Sequence, residues 1–152
     1  MIATQTNDIA STLNGLVQAC LDGQNGFETA AGAIDDASLK SELMGFSAQR
    51  RDFASDLQNL VSALGETPKE SGSVAAAVHR GWINIKTAVV TKDRHAVLVE
   101  CERGEDSAVA SYRKAIEAGL PGDYAQTIRS QHDAVKRTHD RVKALRDSSK
   151  AT

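Results

Sequence analysis

The sequence predicts an all-α protein built on four long helices. Three observations carry that prediction. Only two prolines occur in 152 residues, aromatic residues make up 4%, and apolar residues return in alternating four- and three-residue steps along much of the chain. A chain of this length fits one domain, 1–152, and buries enough surface to fold without a disulfide or structural metal.

The first helix spans about residues 8–34, with Ile9, Leu13, Leu16, Cys20, Gly23, Phe27, Ala30 and Ile34 on its inward line. Residues 37–64 repeat the rhythm with Leu39, Leu43, Phe46, Arg50, Phe53, Leu57, Leu60 and Leu64, started by "DDAS" and stopped by Gly65. These two form an antiparallel hairpin. A polar stretch, "GETPKESGS", carries a Thr67-Pro68-Lys69-Glu70 capping pattern and leads to a shorter helix over about 74–90, with Val78, Trp82, Ile85 and Val89 on one face. The next long helix, about 93–118, turns Leu98, Cys101, Glu105, Ala108, Tyr112 and Ala115 inward, and "GLPGD" ends it. The last, about 122–148, uses Tyr124, Ile128, Gln131, Val135, Thr138, Val142 and Leu145.

The long helices are each roughly 40 Å, and the segment 65–92 contains enough helix and extended chain to travel that length. Two antiparallel hairpins joined by one crossover, here holding a short fifth helix, is the ferritin-like connectivity. The segments "LNGLVQACLDGQNGFETAA", "QRRDFASDLQ", "SGSVAAAVHRGWINIKTA" and "ECERGEDSAVASYRKAIEAGLP" resemble a bacterial ferritin-like family of four-helix-bundle proteins carried as a domain of unknown function. The resemblance runs over about residues 9–148. It implies the fold, and it implies no assigned activity.

Ferritin-like di-iron proteins collect a Glu from each of two helices and a Glu-x-x-His pair from each of the others. Here the second helix offers Arg50-Arg51-Asp52-Phe53 at that place, Cys20 stands on the first helix where a Glu belongs, and the last helix has no Glu-x-x-His. Glu105 alone keeps a ligand-type residue on the inward line. No bound cofactor is expected, therefore, and the alternative is iron or another divalent metal held by a reduced set of Glu102, Glu105 and His139.

Arg50 is the main anomaly, a cation on an apolar stripe. Gly23 lies eleven residues before Ile34, and Arg50 lies eleven after Leu39, so the two share a height in the hairpin and the glycine leaves room for the long side chain. Glu105, at the midpoint of its own helix, is in position to accept both guanidinium branches. An outward-snorkelling arginine and an anion or ligand site are the competing readings. Cys20 and Cys101 read as small inward apolar residues, with a redox thiol pair as the sharper reading. Trp82, with His79 one turn earlier, staples the crossover to the bundle.

A formal net charge of −2 gives no global attraction to nucleic acid or anionic membrane, and the basic residues of "VKRTHDRVKALRDSSK" are interspersed with aspartates. No apolar run is long enough to span a bilayer, and "MIATQTND" resembles no secretion signal, so the expected location is cytoplasmic. A homo-oligomeric or protein partner is the remaining partner class. The expected function is that of a bundle acting without catalysis, stress-related by analogy with ferritin-like relatives.

Overall fold

The computed structural model describes residues 2–70, 81, 82 and 84–149, with side chains from Thr6 onward. Five helices lie among them: α1 (Ile2–Gly32), α2 (Ala37–Ala63), α3 (Ile85–Thr91), α4 (Arg94–Glu117) and α5 (Gly122–Ser149). The helix boundaries have local causes. Asp36 caps α2 by accepting from the Leu39 N–H at 3.0 Å, and Asp93 caps α4 by accepting from the N–H groups of His95 and Ala96. Gly65 and Gly119, at φ of 79° and 67°, adopt the left-handed conformation after α2 and α4, where a side chain would be strained.

α1 packs chiefly on α2 and α4 chiefly on α5, while α1 lies against α4 to join the hairpins. The crossover returns the chain to the end of the bundle where α2 began, as the contact between Arg94 and Asp36 there shows. This is the ferritin-like all-α fold. At its start, the chain after α2 is held by side chains of the first hairpin: the Asn14 amide donates to the Thr67 carbonyl and accepts from the Lys69 N–H, while Gln58 donates to the Lys69 carbonyl. Thr67–Glu70 are non-helical, and the helix start expected just after them lies outside the described residues, as do Val78 and His79.

The short helix differs from expectation within its described part. It begins at Ile85, and Gly81, Trp82 and Asn84 are not helical. Gly81, at φ 93°, passes so close to α4 that a Cβ would stand 2.6 Å from the Arg103 carbonyl oxygen. That approach delivers the Trp82 indole into a slot between Gly26 of α1 and Gly104 of α4, where a Cβ on either glycine would collide with the ring. Trp82 is 6% exposed and meets Phe27 edge to face at 5.3 Å between centroids.

All four long helices contribute to two apolar clusters. One contains Leu13, Leu16, Leu57, Val61, Tyr112 and Ile128; the other contains Phe27, Leu43, Trp82, Leu98 and Val142. Between them the long helices place inward residues that belong to neither, among them Gly23, Arg50, Glu105 and Thr138. The core is therefore divided by a polar layer.

Candidate functional site: a buried polar layer

Arg50 stands on the α2 stripe between Ser47 and Ala54, and Glu105 on the α4 stripe between Cys101 and Ala108. Helical periodicity alone turns both side chains into the bundle. They are 1% and 0% exposed and pair through two parallel bonds, Nη1 to Oε1 at 2.5 Å and Nη2 to Oε2 at 2.6 Å. The guanidinium Nε also donates, to Gln49 Oε1 at 3.3 Å, and the Thr138 hydroxyl donates to the same oxygen at 3.2 Å. Gly23 makes the space: a Cβ there would lie 3.2 Å from both Cγ and Nη1 of Arg50. The guanidinium also sits over the Phe27 ring, 5.6 Å from its centroid. Burial pulls the Arg50 pKa down, but the Glu105 carboxylate outweighs it, so the guanidinium is held charged.

A second polar chain crosses the neighbouring part of the core. Tyr112 donates to Gln131 Oε1 at 2.7 Å, and Cys20 Sγ lies 3.1 Å from the same tyrosine oxygen. The single phenolic proton is committed to Gln131, so the Cys20 thiol is the donor to Tyr112. The Gln131 amide continues to the Phe53 carbonyl at 3.5 Å. Burial pushes the Cys20 thiol up to about 11, the contact between the sulfur and the Tyr112 hydroxyl opposing it in part. Burial likewise raises Tyr112 and Cys101, the latter with added repulsion from Glu105 and Glu100. The two cysteines are free and belong to different clusters. The structure does not pair them, and neither thiol has the low-pKa, accessible setting of a reactive one.

The three residues Glu102, Glu105 and His139 are not brought together. Glu105 is turned into the core and saturated by Arg50. Its neighbour Asp106 takes its place beside His139, with Asp106 Oδ1 2.6 Å from His139 Nε2. The cause is a rotation of about 100° between consecutive helical residues: Glu105 faces the bundle axis, and Asp106 faces the seam with α5. Burial lowers the His139 pKa, but the bonds to Asp140 and Asp106 outweigh it and leave it raised.

The polar layer does not fit a dinuclear iron centre. That centre needs carboxylates and imidazoles from four helices, whereas this layer holds one carboxylate, paired with a guanidinium, together with a hydroxyl bonded to Gln49 and a glycine facing Arg50. The Glu105 carboxylate is bound instead to a fixed cation, the Arg50 guanidinium. The sequence-based reading lacked the tyrosine–glutamine–thiol chain and the glycine slot of Trp82. Cys20, Tyr112 and Gln131 are all on inward lines, but which of them meet depends on helix packing.

Residues 8–118 match the family described as a domain of unknown function (DUF2383). The chain belongs to this family. Among solved structures, a mutant of Dps1 from Mycobacterium smegmatis has a TM-score of 0.76, covering 94% of this chain and 97% of that chain at 13% identity. At that identity the likeness concerns the fold. No curated protein matches. For the family, the matched region includes Gly23, Arg50, Glu105 and the Trp82 slot, while Thr138 and His139 lie beyond it.

Proposed function

We propose that this DUF2383 protein is a non-enzymatic, cytoplasmic ferritin-like bundle in which a buried charge layer stands in place of a dinuclear metal site. It acts through its surface or by self-association. The observation that carries this reading is the bidentate Arg50–Glu105 pair, which commits the one carboxylate of the layer to a permanent cation. A buried pair of this kind adds little net stability but specifies helix register, because any slip leaves two charges unpaired. The fold then needs no metal to hold its helices. A stress-related role has fold analogy as its support, and the absence of nucleic acid from its partners has the net charge of −2 and the mixed signs on α5. No helix among the described residues is long and apolar enough to cross a membrane.

The test is anaerobic iron addition to the full chain, followed by oxygen. Iron should bind at well below two equivalents per chain and show no ferroxidase turnover. Two tightly bound irons with turnover would overturn the reading.

A further inference from the structure

Glu102, Asp106 and His139 form a cluster on the α4–α5 seam that shares no residue with the polar layer. One ligand atom from each, including an imidazole nitrogen, lies within 4.8 Å of the others. Glu102 and Asp106 are one helical turn apart on α4, and His139 approaches from α5, so two helices contribute. The cluster is partly shielded: the Glu102 and His139 side chains are 13% and 15% exposed, and Asp106 at 61% forms the open side.

The imidazole is oriented from behind. Its Nδ1 lies 3.1 Å from Asp140 Oδ1, and Asp140 is itself held by Lys136 at 2.7 Å. A carboxylate on one ring nitrogen fixes the tautomer and directs the other nitrogen at its target, which is the usual support of a metal-binding histidine. Here the other nitrogen is Nε2, aimed at the α4 carboxylates. When the ring is protonated, a proton at Nε2 bridges it to Asp106; a cation at that position would displace the proton and draw in Glu102.

We propose that Glu102, Asp106 and His139 bind one divalent transition-metal ion of the zinc type. One imidazole and two carboxylates match a borderline cation better than calcium or magnesium, which favour all-oxygen shells. Three protein ligands leave the fourth tetrahedral position to water. Arg146 is the built-in competitor: it pairs with Glu102, and its guanidinium must give up part of that contact when the metal enters. The bound ion would tie α4 to α5 and stabilise the second hairpin by mass action.

The experiment titrates Zn²⁺ into the chelator-stripped full chain by calorimetry, with Co²⁺ absorption reporting coordination and circular dichroism confirming that each variant is folded. One equivalent should bind and raise the melting temperature. Binding should be lost in His139→Ala and Asp106→Asn, and weakened about 10- to 100-fold in Asp140→Asn, which leaves all three ligands in place. Arg146→Met should bind more tightly because the competitor is gone, and His132→Ala should match the parent. No binding at millimolar metal, or unchanged binding in folded His139→Ala, would overturn the proposal. Arg146→Met binding no tighter than the parent would remove Glu102 from the ligand set and overturn it as stated.

Discussion

Removing one partner of the Arg50–Glu105 pair should cost far more than removing both. Both side chains are almost wholly excluded from water, and their two mutual bonds are the only ones recorded for Glu105 among the described residues. Arg50→Met therefore strands a carboxylate in an apolar core, and Glu105→Gln leaves the guanidinium without its counter-charge. Each single change should destabilise by about 3–5 kcal/mol. The double variant buries no charge and leaves one amide to satisfy, a cost of about 1–3 kcal/mol. It should be more stable than either single variant. Urea unfolding of the four proteins, with a shared m-value, measures the coupling directly. Additivity within about 0.5 kcal/mol would refute the argument.

Three further outcomes follow from the geometry. Trp82→Ala empties the slot between α1 and α4 and should cost about 3–5 kcal/mol, read by chemical denaturation. Gly104→Ala places a methyl in the indole's position, so the lone tryptophan should be expelled and its emission should shift to the red; an unshifted spectrum would contradict the slot. Both thiols are buried and held protonated, Cys20 at about 11; a thiol reagent at pH 8 should label neither in the native protein and both in denaturant, and rapid native labelling would contradict the packing.

The long helices were legible because each carries a mainly apolar stripe at helical spacing, and a stripe is a local property of sequence. Arg50 and Glu105 stand out on those stripes for the same reason, and the equal spacing of Gly23 from Ile34 and of Arg50 from Leu39 puts them at one height. The choice between Glu105 and Asp106 beside His139 was not legible. These neighbours point about 100° apart, and only the placement of α5 decides which of them faces it. The crossover was misread at its described end because Trp82 reads as part of a helical face. Its actual position depends on Gly26 and Gly104, which are far apart in sequence and leave a slot for the indole.

The most direct test of the account is a crystal structure of the protein soaked anaerobically in ferrous iron, with anomalous scattering recorded at the iron edge. The account predicts no anomalous peak between Cys20, Arg50 and Glu105, and both guanidinium branches of Arg50 still on the Glu105 carboxylate. A pair of iron peaks in that layer, with Arg50 swung away and Glu105 bound to metal, would contradict it.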